Sequence, residues 1–236
     1  MAKLIKELSV FLPAYNEAEN LEKTVANVIS NLKRVADKYE LIIVNDGSKD
    51  TTQKVAEKLA AKDKNIRIIS HPVNRGYGAA FKSGLYNAKY DWISFIDADG
   101  QFNFEEIDQF IDTEQRTSAD LIIGYYRERR VTWLRKLNSF AWQTVVDVLF
   151  GLKVRDIDCG FKLISKTVVD KIPKLESERG AFISSEFLIK AKKHNFKIEQ
   201  IPVHHYPRKA GEATGAKLNV IIKSFVDLFK LWKKLS

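Results

Sequence analysis

Leu41-Ile42-Ile43-Val44-Asn45-Asp46-Gly47-Ser48-Lys49-Asp50-Thr51 is the stretch on which the fold turns. Four consecutive apolar residues, mostly β-branched and without polar alternation, read as a strand covered on both faces. The run breaks into Asn, Asp, Gly and Ser, which are turn residues. Asp50, with Gln53 three positions on, then reads as the cap of a following helix. The same grammar recurs on either side. Residues 8–12 form an apolar strand that ends at Pro13, and 17–36 carry Leu21, Val25, Val28, Ile29 and Leu32 on one helical face. Downstream, the pattern predicts strands at 66–69, 92–96 and 121–123, alternating with helices at 77–89 and 104–116. Such alternation with short turns implies a largely parallel sheet, because parallel neighbours need crossover helices.

Open sheets of this kind bind ligands beyond the carboxyl ends of their strands. The chemically loaded residues lie there: Pro13-Ala14-Tyr15-Asn16-Glu17, Asn45-Asp46-Gly47-Ser48, Asn74-Arg75-Gly76 and Asp97-Ala98-Asp99-Gly100-Gln101. Asp97 and Asp99 present two carboxylates that can converge on one hard divalent cation, Mg²⁺ or Mn²⁺, and Gln101 can add a carbonyl oxygen. An isolated Asp-x-Asp is most often a turn, and the companion loops at the same sheet edge tip this one towards a metal site. Asp46 is placed to accept hydrogen bonds from the ring N–H groups of a base, with a turn role as its alternative. Pro13 and Tyr15 can pack on that base. Glu17 either binds ribose hydroxyls or only favours the amino end of its helix. Asn74-Arg75-Gly76-Tyr77-Gly78-Ala79-Ala80 resembles an anion site but lacks the Lys-Ser/Thr ending of a phosphate-binding loop. Close helix–sheet packing explains its small residues better, and a donor contact by Arg75 stays open.

The second half is less regular. It predicts helices at 133–150, 183–194 and 218–235, with strands at 160–164 and 197–203. Of 236 residues, 45% are apolar and 29% charged, which suits one α/β domain with a carboxy-terminal extension. The net charge of +9 fits anionic lipid, phosphorylated ligands or nucleic acid, with the excess gathered in 127–136 and the last quarter. No nucleic-acid recognition motif accompanies it, so no nucleic-acid partner is expected. Cys159 is the sole cysteine, which excludes an internal disulfide. With no visible secretory signal and no spanning apolar run, a cytoplasmic, peripheral location is expected.

In order, these motifs resemble glycosyltransferase family 2, in its dolichol- or polyprenyl-phosphate hexose transferase branch. Two later motifs carry the resemblance on to residue 217: Asp158-Cys159-Gly160-Phe161-Lys162-Leu163 and Tyr206-Pro207-Arg208-Lys209-Ala210-Gly211-Glu212. The resemblance implies an α/β GT-A fold, a mostly parallel Rossmann-like sheet flanked by helices, with a carboxy-terminal amphipathic helix. It implies a catalytic domain over 1–216, divided into a nucleotide-binding half (1–126) and an acceptor-side half (127–216), followed by a basic helix at 217–236. The donor is then a nucleotide-diphosphate sugar, GDP-mannose or UDP-glucose, held through Pro13, Tyr15, Glu17, Asp46, Arg75 and Asp97. Asp97, Asp99 and Gln101 match the family's metal-site residues. Arg127, Arg130, Arg135 and Arg208 match arginines that hold donor and acceptor phosphates, for which the planar guanidinium fork is apt. Asp99 joins these four arginines as a candidate catalytic residue.

The implied reaction is a single inverting displacement onto a polyprenyl phosphate. Such an acceptor is already anionic, so Glu186 has only to orient groups; it becomes a candidate base if the acceptor is a hydroxyl. The absence of a Gln-x-x-Arg-Trp signature argues against a processive polymerase. A saccharide or cell-wall acceptor and a non-catalytic nucleotide-sugar-binding subunit are the competing readings. The aromatic, basic helices at 133–150 and 218–235 suit a membrane surface. Core packing, a homodimer or a membrane-protein partner would use the same stripes.

Overall fold

The computed structural model describes residues 3–127, 133–178, 182–208 and 218–235, with the backbone alone for 133–140, 218–225 and 235. Seven strands make one sheet in the order β3-β2-β1-β4-β6-β5-β7. They are β1 (Ile5–Ala14), β2 (Ala36–Asn45), β3 (Ile66–Ser70), β4 (Trp92–Ile96), β5 (Leu121–Tyr126), β6 (Phe161–Ser165) and β7 (Ile198–Val203). β6 alone runs antiparallel, between β4 and β5, and the other pairings are parallel. Both expected halves share this sheet.

The helices are α1 (Ala18–Val35), α2 (Thr52–Lys62), α3 (Tyr77–Asn87), α4 (Ile107–Thr117), α5 (Trp133–Phe150), α6 (Lys166–Lys171), α7 (Phe182–Lys193) and α8 (Leu218–Leu235). Strand alternation divides the core. Leu8, Val10, Leu12, Leu41 and Ile43 face α1, α2 and α4, while Phe11, Ile42, Val44, Ile93 and Phe95 face the layer of α3, α5, α6, α7 and α8. With both faces covered, the central strands have no solvent side on which to alternate polar residues. On the second face the rings of Phe11, Phe81 and Phe95 meet at centroid distances of 5.1–5.3 Å. Each such pair adds about 1 kcal/mol to simple area burial.

The structure departs from the sequence expectations in four places. β1 and β2 are ten residues each, because their charged amino-terminal halves still pair in the ladder. The helix expected at 104–116 begins as a 3₁₀ turn, Phe104–Glu106. The short α6, capped by the Ser165 side chain, was not foreseen. Gly78, expected to pack on the sheet, instead lets α3 approach the 174–178 loop, where an added Cβ would stand 2.8 Å from the Glu178 carbonyl oxygen.

Candidate active site

β1 and β2 end side by side, and their loops are stitched together. Asn16, left-handed at φ 55°, accepts a bond from Lys49 N (2.8 Å), and its own N–H donates to Ser48 Oγ (3.0 Å). Asp50 is not itself the cap residue, which is Thr51; from one position earlier it serves two helices, accepting from Thr52 N of α2 and Ala18 N of α1. Gln53 takes no part in a reciprocal cap. It accepts from Asn45 Nδ2 and Ser70 Oγ and donates to Glu57. Pro13 and Tyr15 lie half-buried at this junction.

Asp46 is buried, and both of its carboxylate oxygens are engaged inside the protein. Oδ1 contacts His71 Nδ1 (2.6 Å) and accepts from Arg75 N (2.9 Å); Oδ2 accepts from Asn74 Nδ2 (3.0 Å) and Gly76 N (2.8 Å). A carboxylate offers about four acceptor positions. All are occupied in this arrangement, and through them Asp46 fixes the segment that leads into α3. Arg75 forms an ion pair with the exposed Glu178, at 3.0 Å.

The acidic loop after β4 is the centre of the site. Asp97 Oδ1 accepts from Tyr77 Oη at 3.3 Å. Its other oxygen packs on Gly160, where an added Cβ would come within 1.9 Å of it. Lys162, fully buried on β6, supplies positive charge near Asp97, with Nζ bonded to the Cys159 carbonyl and 5.5 Å from the Phe95 ring centroid. Asp99 Oδ1 accepts from Gln101 N at 3.0 Å, and Thr24 of α1 donates to the Ala98 carbonyl at 3.2 Å.

The segment after β7 closes over this loop. Gln101 and Tyr206 exchange two bonds: Tyr206 N to Gln101 O (2.9 Å) and Gln101 Nε2 to Tyr206 O (3.0 Å). His204 bonds to Glu106, and His205 packs against Tyr126 with the rings tilted by 56° at a centroid distance of 4.4 Å. Two residues past Tyr206, Arg208 forms an ion pair with Glu17 and stands 3.9 Å from Asp99 Oδ2. Glu17 also accepts from Asn20 Nδ2 (2.8 Å) and makes no cap bond to α1. Its carboxylate therefore faces the acidic loop rather than merely starting a helix.

These carboxyls are energetically unsettled. Burial, then the neighbouring Asp99, raise Asp97 to about 8. Burial likewise raises Asp99 and Glu17 above the usual carboxylate range, against the pull of Arg208 on both. Clustered, partly desolvated carboxylates favour either protons or a multivalent cation. Among the described residues no group of three or more His, Cys, Asp or Glu side chains forms a ready-made metal cage. Two carboxylates suit Mg²⁺ or Mn²⁺ that arrives with phosphates, since such ions are commonly held by one or two carboxylates plus phosphate oxygens. The residues fit that group.

Of the other expected site residues, Arg127 is exposed at the end of β5, its N–H bonded to the Val203 carbonyl. Arg130 lies outside the described residues, and Arg135 falls on α5, where the backbone alone is described. Glu186 is buried in a pair with Lys190 (2.6 Å) and accepts from Glu176 N and Ser177 N. It is closed off as a base. Tyr77, Gly160, Lys162 and Tyr206 were not singled out as site residues. Only Lys162 left a local signal, a charge inside the apolar run of β6.

A three-layer α/β sheet with one antiparallel strand and an acidic loop at the carboxyl end of β4 defines a sugar-transferring enzyme of the GT-A fold. The chain belongs to glycosyl transferase family 2, whose profile matches residues 9–173. It is 31% identical, over 95% of its length and 72% of the relative's, to a dolichyl-phosphate beta-glucosyltransferase of Trichomonas vaginalis. It is 30% identical to the undecaprenyl-phosphate 4-deoxy-4-formamido-L-arabinose transferase of Proteus mirabilis, over 92% of the chain and 65% of that protein. Among solved structures it resembles glucosyl-3-phosphoglycerate synthase from Mycobacterium tuberculosis in complex with Mn²⁺ and UDP-glucose. That likeness has a TM-score of 0.73 at 19% identity and covers 96% of this chain and 79% of that one.

Proposed function

We propose that this protein transfers a hexose, glucose rather than mannose, from a nucleoside-diphosphate sugar to a polyprenyl phosphate at a membrane surface. The observation that carries the reading is the acidic Asp97/Asp99 loop roofed by Arg208. Relatives named for dolichyl- or undecaprenyl-phosphate transfer support the acceptor, and those named for glucosyl transfer favour UDP-glucose over GDP-mannose. Asp97 and Asp99, with the Gln101 amide oxygen, would hold Mg²⁺ or Mn²⁺. When bound, such an ion stabilises the negative charge of the departing diphosphate.

The chain's own residues supply position and charge. Pro13, Tyr15 and the stitched loops behind them shape the nucleotide side. Arg127, Arg130, Arg135 and Arg208 offer bidentate contacts to donor and acceptor phosphates. Preorganised cations of this kind lower the barrier without a proton transfer. An acceptor phosphate needs no base to attack the anomeric carbon, which agrees with Glu186 being tied up in its pair.

Purified protein incubated with Mn²⁺, radiolabelled UDP-glucose and polyprenyl phosphate should yield label in the organic extract. Asp99→Ala should lower that signal at least 100-fold with unchanged circular dichroism. Label accumulating only in an aqueous product would reject the lipid acceptor, and full activity of the variant or in excess chelator would reject the metal site.

A further inference from the structure

We infer that Arg208 is an internal stand-in for the metal: its guanidinium occupies the acidic site at rest and moves onto the diphosphate when metal and donor bind together. The inference rests on the proposed metal reading of Asp97 and Asp99. Glu17, Asp99 and Arg208 come from three different loops, and the Arg208–Glu17 pair spans 191 positions of sequence. Arg208 reaches Glu17 directly and lies 3.9 Å from Asp99 Oδ2, so one monovalent cation serves two of three crowded carboxylates. Asp97, on the far side of the loop, is served by buried Lys162 and Tyr77 instead.

The anchor of this arm is separate from its tip. Gln101 and Tyr206 hold the strap to the acidic loop by two bonds, and His204 is tied to Glu106. Arg208 lies two residues beyond, with its side chain 22% exposed, so it can change partner while the anchor persists. A divalent ion alone must displace the guanidinium and then sit beside it, cation against cation. A divalent ion arriving with a diphosphate brings the anion to which a guanidinium binds best. Metal and nucleotide should therefore bind cooperatively, and the protein should hold Mn²⁺ poorly by itself.

The test is titration of Mn²⁺, followed by the paramagnetic resonance signal of the free ion, with and without UDP. Wild type should bind Mn²⁺ weakly alone and much more tightly with UDP. Arg208→Gln should tighten Mn²⁺ alone about tenfold, the scale of one charge–charge contact at a partly exposed site, and lose most of the UDP effect. Arg208→Lys keeps the charge and should stay near wild type in Mn²⁺ alone. Unchanged or weaker Mn²⁺ binding by Arg208→Gln, with wild type still binding Mn²⁺ in UDP, overturns the stand-in while leaving the metal site intact. No Mn²⁺ binding by wild type even with UDP overturns the metal reading and this inference with it.

Discussion

Asp97 shows how tightly a single residue can be specified by neighbours remote in sequence. Its carboxylate lies between Tyr77 Oη and the Cα of Gly160, and the glycine is required because any side chain would overlap Oδ2. Gly160→Ala should therefore push the carboxylate out of place. Misplacing a reacting or charge-stabilising group by about 1 Å costs roughly 100-fold in rate. Turnover should fall by about that factor while the melting temperature changes little, and steady-state assays beside a thermal melt would check it. Asp97, Asp99 and Glu17 were readable as candidates because acidic residues after apolar runs are conspicuous in one dimension. Asp46 was equally conspicuous, yet its oxygens turned inward to His71 and the 74–76 loop. Residue type and position at a strand end do not say which neighbours will arrive from elsewhere.

At the scale of elements, the buried pair on α7 decides the shape of the α3 approach. Glu186 holds Glu176 N and Ser177 N, Lys190 holds the Lys174 carbonyl, and Glu178 O then receives Ala79 N of α3. Burial alone would raise the Glu186 pKa, but the bonds from Lys190 and the loop amides outweigh it and leave it lowered. A lowered glutamate contributes stability that is present above its unfolded value, about 4.3, and is lost as pH falls through the folded one. Glu186→Gln leaves Lys190 charged and buried without its counterion, at a cost of about 3–5 kcal/mol. Urea unfolding at pH 7 should show that loss. The gap between variant and wild type should begin to narrow as pH falls below the unfolded value of about 4.3 and close only once the lowered folded value is passed. Helical periodicity made α7 legible from its sequence. It could not show that Glu186 and Lys190, one helical turn apart, both face inward.

Across the whole molecule, the final helix divides its duties. Leu228 and Leu231 are buried in the same core as α7, and Trp232 packs at its border. Phe229 and Val226 remain about half exposed, with Val148 of α5 more so. Lys233 Nζ lies 5.1 Å from the Phe229 ring centroid, Lys230 follows Phe229 in the chain, and Lys234 pairs with Glu176. The stripe read from the sequence as one apolar face is thus split between core and surface. Among the described residues no helix is long and apolar enough to cross a membrane. An exposed aromatic among lysines suits an anionic bilayer surface, where each lysine contributes about 1 kcal/mol. Replacing Lys230 and Lys233 by Glu should weaken sedimentation with phosphatidylserine vesicles by at least tenfold at low salt and leave neutral vesicles unaffected. Equal binding by the variant would show that α8 faces something other than lipid.

The linear order of apolar runs and turns was sufficient to establish the α/β class, strand–helix alternation, most of the elements and the edge of the sheet that carries the chemistry. Those features follow from local periodicity and from the crossover that parallel strands require. Tertiary structure alone decided that β6 enters the sheet antiparallel and carries Lys162 beneath Asp97, that Glu186 is locked away, and that Arg208 returns from the far end of the chain to Glu17. The sheet order and the return of Arg208 depend on contacts between segments far apart in the chain, 191 positions for the Arg208–Glu17 pair. Glu186 depends on how its helix face meets the loop just before it, and of these only Lys162, a charge inside an apolar run, leaves a mark in one dimension.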